Sequence, residues 1–239
     1  MACRGHFRFD VAEMKRSLFF ITGTDTGVGK TVLTVLLARY LRERGVNAAA
    51  LKPVCSGGRD DARLLRAASG KALALDEINP WYFRTPVAPL LAARRERKPV
   101  KRSQVVAHIR AMQKRFDALL VEGAGGLLSP LGEDFNSRDL IRSLTAAPIV
   151  VCPNRLGAVN QVLVTLEALP AAARRKARVV LVTPARPDAS RPANAGLLAE
   201  SFDGKRIFLL PWLGARVDGM LALKQSRVRG VIEKLASTF

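Results

Sequence analysis

Short, fully apolar runs alternate along the chain with segments of helical periodicity. The runs predict six β-strands, at residues 17–22, 48–51, 118–121, 149–152, 179–182 and 207–210. Apolar residues recurring at helical spacing predict helices at residues 31–44, 103–115, 137–144, 158–169, 191–200 and 231–237. Strands that lack polar alternation are typical of a sheet covered on both faces. The pattern therefore predicts an α/β fold in which a mostly parallel sheet, with right-handed crossovers, carries helices on both faces.

The composition agrees with a folded domain. The chain has 239 residues, of which 49% are hydrophobic, and this excludes a disordered protein. Its apolar runs are shorter than the ~18 residues of a membrane span, and the N-terminus lacks the apolar segment of a signal peptide. The three cysteines Cys3, Cys55 and Cys152 have no CxxC spacing. We therefore expect a cytoplasmic protein whose thiols are free, with Cys55 and Cys152 buried.

We expect a single domain over residues 14–239. Met14 directly precedes the first strand, so residues 1–13 are either an N-terminal extension or the result of a misassigned start. Residues 79–102 form the one long stretch without a regular pattern and are rich in Pro and Arg. A stretch of this length is more than a plain connector, and we expect it to be functional or mobile.

The loop after the first strand has the pattern G-x-x-x-x-G-K-[ST], as GTDTGVGKT at residues 23–31. It lies between a strand and a helix, as a phosphate-binding loop requires. Glycines let the backbone wrap around phosphates, and the loop N–H groups and the helix N-terminus hold anionic oxygens. Lys30 would reach the β- and γ-phosphates, and Thr31 would offer its hydroxyl to Mg²⁺. The sequence thus predicts a P-loop NTPase-like domain that binds ATP, with nucleotide contacts from Thr26, Gly27, Val28, Gly29, Lys30 and Thr31.

Two charged residues follow neighbouring predicted strands. Glu122 ends the third strand and Lys52 follows the second. The carboxyl ends of parallel strands form the ligand-binding edge of such a sheet. We therefore expect Glu122 to bind Mg²⁺, as carboxylates do in other P-loop enzymes, and Lys52 to meet an anion.

Six further sequence segments extend the pattern, in a fixed order along the chain. After GTDTGVGKT come KPVCSG at 52–57, INPWYF at 78–83, PVAP at 86–89, VEGAGGLLSP at 121–130, NRLGAVNQ at 154–161 and LPWL at 210–213. In this order they resemble the dethiobiotin synthetase family. The resemblance covers residues 17–213, nearly the whole chain.

The resemblance implies a ligase of biotin biosynthesis. Such an enzyme combines 7,8-diaminopelargonate with CO₂ or bicarbonate and ATP to give dethiobiotin, ADP and phosphate. The diamine captures CO₂ as a carbamate, the carbamate attacks the γ-phosphate to give a carbamic–phosphoric anhydride, and the second amine closes the cyclic urea. The protein's task would be positioning and charge neutralisation.

The resemblance also implies roles for individual residues. Lys30 and Lys52 would be catalytic, and Thr31, Asp61 and Glu122 would hold Mg²⁺. Further nucleotide contacts would come from Gly123, Ala124, Gly125, Thr183, Pro184, Pro211, Trp212 and Leu213. Ser56 would contact the substrate near its amines. The substrate carboxylate would be bound by Gly157, Ala158, Val159 and Asn160 of the neighbouring subunit, so that the active form is a homodimer.

Two positions depart from the family pattern. The metal aspartate of the family begins a helix, and Asp61 fits that phase better than Asp60, although the loop from Ser56 is shorter than in many members. Thr183 stands where the family usually carries an asparagine that binds adenine. A hydroxyl replaces an amide's donor and acceptor there, which predicts looser base selectivity.

Two other classes of protein remain as alternatives. A ParA/MinD-like ATPase switch has a lysine early in its phosphate loop, where this chain has Thr24 and Asp25. A nucleic-acid-binding protein is suggested by the net charge of +19, from 39 Lys and Arg against 20 Asp and Glu. Much of this excess lies in residues 94–116 and 174–191, and neither stretch interleaves aromatic residues for base stacking. We therefore expect surface charge, with no specific nucleic acid and no membrane as partner.

Overall fold

The computed structural model describes residues 16–214 and 219–239 as an α/β structure. Its strands are β1 (Ser17–Gly23), β2 (Ala48–Leu51), β3 (Val54–Ser56), β4 (Trp81–Phe83), β5 (Ala118–Glu122), β6 (Pro130–Gly132), β7 (Phe135–Asn136), β8 (Ala147–Pro153), β9 (Arg178–Val182) and β10 (Ile207–Leu210). Its helices are α1 (Lys30–Glu43), α2 (Asp60–Ala68), α3 (Leu75–Ile78), α4 (Pro89–Arg95), α5 (Arg102–Gln113), α6 (Ser137–Leu144), α7 (Ala158–Ala168), α8 (Ala171–Arg174), α9 (Arg191–Ala199), α10 (Gly219–Lys224) and α11 (Ser226–Ala236). The proposed N-terminal extension, residues 1–13, lies outside the described residues.

The central sheet has six parallel strands in the order β10-β9-β8-β1-β5-β2. These are the six strands that the sequence predicts, so the predicted fold class is confirmed. Strands that follow β1 in the chain lie on both sides of it. The carboxyl end of β1 is therefore a topological switch point, where open parallel sheets form their ligand crevice.

Helices cover both faces of this sheet. On one face α1 packs against α10 and α11, and on the other α5 contacts α6 and α7 contacts α9. Strands β2 and β5 are buried along their whole length, because both of their faces meet helices. Helix α1 lies at the centre of its face, and Leu33, Leu36 and Leu37 are fully buried there. Among the described residues, no helix is long and apolar enough to cross a membrane.

The prediction that residues 79–102 lack regular structure is wrong in part. The stretch contains β4 and α4, and β4 pairs in parallel with β3. Each element is too short to show a periodicity, since β4 has 3 residues and α4 has 7 and begins with a proline. The β3–β4 pair attaches this stretch to the segment that follows Lys52. Cys55 and Cys152 are buried free thiols, as expected.

We expect Leu36→Ala to destabilise the fold. Leu36 is fully buried on α1, and truncation of such a leucine leaves a cavity that costs about 2–5 kcal/mol of unfolding free energy. Urea denaturation would measure the loss. Leu64 of α2 is 50% exposed, so Leu64→Ala serves as the matched control and should cost less than about 1 kcal/mol. Equal losses in the two variants would contradict the central position of α1.

Candidate active site

The phosphate loop lies where the sequence predicts it, between β1 and α1. Gly27 and Gly29 have φ values of 73° and 100°, in the left-handed region that favours glycine. A Cβ atom on Gly23 would lie 2.6 Å from Val28 Cγ2 and 3.1 Å from the carbonyl oxygen of Asp25, so glycine avoids a close contact at this position. The loop is therefore built to bring its backbone N–H groups toward one point at the start of α1.

Lys30 is buried at the base of this loop. Its Nζ donates a hydrogen bond to the carbonyl of Asp25 at 2.7 Å, and the residue is only 6% exposed. Burial lowers the pKa of Lys30 to about 8, with Lys52 lowering it further and Glu122 opposing the change. Lys30 forms no ion pair with a described carboxylate, and an anionic ligand beside it would favour its charged form.

Glu122, Lys52, Asp61 and Thr31 form one hydrogen-bonded cluster at the carboxyl edge of the sheet. Lys52 Nζ donates to Glu122 Oε1 at 2.8 Å and forms an ion pair with Asp61 Oδ2. Thr31 Oγ1 donates to the same Glu122 oxygen at 2.8 Å. Burial disfavours the charge on Lys52, but Glu122 and Asp61 outweigh it and raise the pKa of Lys52. The two carboxylates therefore favour the charged form of Lys52.

The second carboxylate oxygen of Glu122 has no partner. The side chain is fully buried, and Oε2 accepts no hydrogen bond from any residue that the structure describes. A buried carboxylate oxygen left in this state costs free energy. With the Thr31 hydroxyl and the Asp61 carboxylate beside it, the cluster offers the hard oxygen ligands that Mg²⁺ prefers.

The two adjacent aspartates of α2 face different surroundings. Asp61 contacts Lys52 in the cluster, whereas the side chain of Asp60 is 88% exposed and pairs with Arg63 at 2.6 Å. Only Asp61 borders the cleft described next. Asp60 and Asp61 therefore form a natural matched pair for mutagenesis.

A cleft of about 670 Å³ opens above the cluster. It brings together a large part of the sequence-predicted site, namely Thr26, Gly27, Gly29, Lys30, Thr31, Lys52, Ser56, Asp61, Glu122, Ala124 and Gly125. One wall comes from residues 86–89, the PVAP segment. Ser56 Oγ donates to the carbonyl of Val87, which ties this wall to the end of β3. The phosphate loop therefore forms one side of the cleft, and Ser56 with residues 86–89 forms another.

Other predicted residues lie on the same edge but do not line this cleft. Gly123 follows β5, and Val28 is 6% exposed within the phosphate loop. The predicted base-binding residues Thr183, Pro184, Pro211, Trp212 and Leu213 follow the carboxyl ends of β9 and β10. Gly157, Ala158, Val159 and Asn160 form the start of α7, after β8. Within one chain, these predicted base-binding and carboxylate-binding residues therefore lie outside the cleft that the phosphate loop and Lys52 line.

Comparison with known proteins assigns the chain to a family. Residues 17–236 match a family model described as an AAA domain. The ATP-dependent dethiobiotin synthetase of Anaeromyxobacter dehalogenans is 41% identical over 198 residues, covering 81% of this chain and 89% of that protein. The corresponding protein of Akkermansia muciniphila is 42% identical over 151 residues, covering 63% of this chain and 71% of its own length. This chain belongs to the dethiobiotin synthetase family.

Solved structures outside the dethiobiotin synthetase family share its fold. A ParA protein (pNOB8) bound to nonspecific DNA has a TM-score of 0.58 at 13% identity, covering 93% of this chain and 98% of its own. A chain of the MinC–MinD cell division protein complex of Aquifex aeolicus gives a TM-score of 0.58 at 15% identity, covering 92% of this chain and 95% of that chain. At such low identity these likenesses establish the P-loop NTPase-like fold alone.

Asn79 of this dethiobiotin synthetase family member is a buried residue to which no sequence motif gives a role. Its side chain is 1% exposed, and Nδ2 donates to the carbonyl of Lys52 at 2.7 Å. Its Oδ1 accepts from Cys55 Sγ and from Arg59 Nε, both at 3.2 Å. Arg59 directly precedes α2, which carries Asp61. Asn79 therefore connects the backbone beneath Lys52 with the start of the helix that bears Asp61.

The only sequence signal for Asn79 is that it belongs to the INPWYF segment. The spacing of residues in that segment does not show whether the Asn79 amide is buried between two loops or exposed to solvent. Arg59 was missed for the same reason. It also contacts Asp76 at 2.6 Å and lies 5.3 Å from the centre of the Tyr82 ring.

We expect Asn79→Ala to lower kcat by about tenfold to a hundredfold, because a small displacement of Lys52 relative to Asp61 disturbs the reacting geometry. Steady-state kinetics on folded protein would measure kcat and KM separately. Ser69→Ala is the control, since Ser69 is a buried hydrogen-bonded residue at the far end of α2. If both variants lose stability but neither loses kcat, Asn79 supports the fold alone.

Proposed function

We propose that this protein catalyses the ATP-dependent closure of the urea ring of dethiobiotin from 7,8-diaminopelargonate and CO₂. The observation that carries the proposal is the placement of Lys30 and Lys52 in one cleft, beside Glu122, Asp61 and Thr31. Family membership supports the overall reaction. The cleft supports it chemically, because the reaction needs two positive charges near a transferring phosphoryl group rather than a protein nucleophile.

The reaction starts when one amine of the substrate adds to CO₂ and loses a proton, which gives a carbamate. A carbamate oxygen then forms a bond to the γ-phosphorus as the bond to ADP breaks. The second amine attacks the carbamoyl carbon, and phosphate leaves as the ring closes. In this proposal Lys52 balances the carbamate charge, and Lys30 balances the charge on the transferring phosphoryl group. Ser56, at the wall opposite the phosphate loop, orients the end of the substrate that bears the amines.

The proposed metal ligands are Thr31, Asp61 and Glu122. The unpartnered Oε2 of Glu122 supports this assignment, because a cation at that point would satisfy it. A bound Mg²⁺ would neutralise charge on the β- and γ-phosphates. The exposed pairing of Asp60 with Arg63 argues for Asp61 as the ligand.

We infer that the start of α7 serves the neighbouring subunit. Gly157, Ala158, Val159 and Asn160 do not line the cleft of their own chain, and Gly157 in the left-handed region begins an 11-residue helix. A helix N-terminus suits a carboxylate. Leu156 and Val164 beside it are 78% and 59% exposed, which supports burial of this surface against a second copy. The substrate carboxylate would then be held across a homodimer.

We propose that the nucleotide base binds at the carboxyl ends of β9 and β10. Thr183 N donates to the carbonyl of Leu210, which holds the two strand ends together. A Cβ atom on Gly29 would lie 3.5 Å from Val182 Cγ2, so the end of β9 lies close to the phosphate loop, which supports a role for Thr183 near the bound nucleotide. With Thr183 in place of an amide, we expect CTP and GTP to support measurable turnover beside ATP. Strict use of ATP would contradict this expectation.

A direct assay tests the proposed function. Purified protein is incubated with diaminopelargonate, bicarbonate and Mg-ATP, and dethiobiotin is detected by mass. The proposal requires a product that depends on each of the three substrates, with ADP formed in equal amount. ATP hydrolysis that proceeds equally without the diamine would contradict it.

We expect Lys30→Ala and Lys52→Ala each to abolish dethiobiotin formation. Each removes a buried cation that faces the reacting phosphoryl or carbamate group. Circular dichroism would check that both variants are folded, and product mass would report activity. Lys101→Ala is the control, because Lys101 is exposed and lies outside the cleft. Turnover close to that of the unmodified protein in either cleft variant would overturn the assignment.

We expect Glu122→Gln and Asp61→Asn to raise the Mg²⁺ concentration needed for half-maximal rate by about tenfold or more, because each loses a charged ligand. The measurement is the initial rate as a function of free Mg²⁺ at fixed ATP. Asp60→Asn is the matched control for Asp61 and should leave the titration unchanged. A residue whose variant titrates like the unmodified protein is not a ligand.

A further inference from the structure

A second cleft lies at the opposite edge of the central sheet. It has a volume of about 650 Å³ and is bordered by Ser17 of β1, Ala147 of β8 and Arg178 of β9. These residues stand at or near the amino ends of their strands, so the cleft is separated from the phosphate loop by the length of β1. With 7 residues at about 3.3 Å each, that is roughly 20 Å. None of the predicted active-site residues borders it.

Cations dominate the lining of this amino-edge cleft. The six basic residues that border it are Arg16, Arg175, Lys176, Arg178, Lys205 and Arg206, whereas Asp203 is the only acidic side chain among its lining residues. Asp203 is already paired with Arg206 at 3.3 Å. Among the residues that the structure describes, no carboxylate side chain forms an ion pair with the other five.

Two of these arginines have a structural role. Arg178 donates to Thr238 Oγ1 at 2.6 Å, to the carbonyl of Lys176 at 2.9 Å and to the carbonyl of Thr238. Arg206 donates to the carbonyl of Arg175. Cations near a helix C-terminus commonly donate hydrogen bonds to such carbonyls. Arg178 does so after both α8 and α11, and Arg206 does so after α8.

The remaining cations are not explained in this way. Arg16, Arg175, Lys176 and Lys205 are exposed, and no hydrogen bond of their side chains to another described residue is present. Like charges gathered around a concavity repel one another and raise the local electrostatic potential. Consistent with this, burial and then Arg206 lower the pKa of Arg178 to about 10.

The floor of the cleft is apolar. The rings of Phe19 and Phe239 stack at 3.8 Å, and the guanidinium of Arg178 lies 5.7 and 5.6 Å from their centres. Phe19 is only 3% exposed, so its face is not open for stacking with a base. The cations surround a pocket of nucleotide size rather than forming a long stripe. Both features favour a small anion over a nucleic acid strand.

We propose that the amino-edge cleft binds a small anion with two or more phosphoryl groups, held by Arg16, Arg175, Lys176 and Lys205. Ammonium and guanidinium groups match phosphoryl oxygens in charge and in donor number. Inorganic polyphosphates and nucleoside phosphates share this chemistry. The site accounts for part of the basic excess of residues 174–191, which the chemistry of the active site does not use.

Calorimetric titration with inorganic tripolyphosphate tests the proposal. The titration uses full-length protein carrying Lys30→Ala, so that the phosphate loop contributes little. In this background the variant Lys176→Glu/Lys205→Glu should bind about tenfold more weakly or worse. The control is Lys101→Glu/Lys224→Glu, which changes the net charge equally at exposed positions outside the cleft and should stay within about twofold. Thermal unfolding would verify that all variants are folded.

Parallel titrations with ATP distinguish the two sources of the ligand. Tighter binding of ATP would indicate a nucleoside phosphate as the ligand, and tighter binding of tripolyphosphate an inorganic polyphosphate. In either case the binding must be weakened by the cleft variant and not by the control variant. Three results would overturn the proposal. These are an absence of binding in the Lys30→Ala background, an equal loss in the cleft and control variants, and binding of a short oligodeoxythymidylate that tripolyphosphate does not displace. The second would indicate diffuse surface attraction, and the third a nucleic-acid site.

Discussion

The burial of Glu122 is the constraint around which the active site is organised. A carboxylate with no solvent exposure at the end of a central strand must be compensated by nearby positive charge or hydrogen-bond donors. Lys52 donates a charged hydrogen bond and Thr31 a neutral one to the same carboxylate oxygen. The other oxygen is buried and accepts no hydrogen bond from the residues that the structure describes. Because Lys52 is shared with Asp61, the first turn of α2 is held to the same point. The burial of Glu122 therefore holds α1, the segment after β2 and the start of α2 close together.

The parallel sheet gives this molecule two edges of different character. At the carboxyl edge, strand ends and helix N-termini bring glycines, two lysines and acidic residues together around one cleft. At the amino edge, strand starts and helix C-termini gather cations around an apolar floor. Helix dipoles contribute to both arrangements, since they favour anions at N-termini and cations at C-termini. The net charge of +19 is therefore distributed unevenly, with part of it concentrated where the proposed chemistry does not act.

The central sheet could be predicted from the sequence because its strands are buried on both faces. Uninterrupted apolar runs such as residues 118–121 leave a clear signal, and GTDTGVGKT fixes the position of β1 and α1. The β3–β4 pair left no such signal, since three residues are too few to show a period. The role of Asn79 depends on hydrogen bonds to Lys52 and Arg59, which lie 27 and 20 residues away in the chain. Side-chain contacts over such distances are properties of the tertiary structure rather than of any local pattern.

The hydrogen bond between Thr31 and Glu122 joins residues 91 positions apart, and that between Lys52 and Glu122 joins residues 70 apart. Contacts of such high sequence separation carry a large loop-closure entropy cost. The pairing of β1 and β2 with β5 brings the three residues together, so the cluster depends on the folded sheet. A nucleotide that binds the assembled cluster binds the native state alone. By mass action, its binding therefore raises the free energy of unfolding of the whole domain.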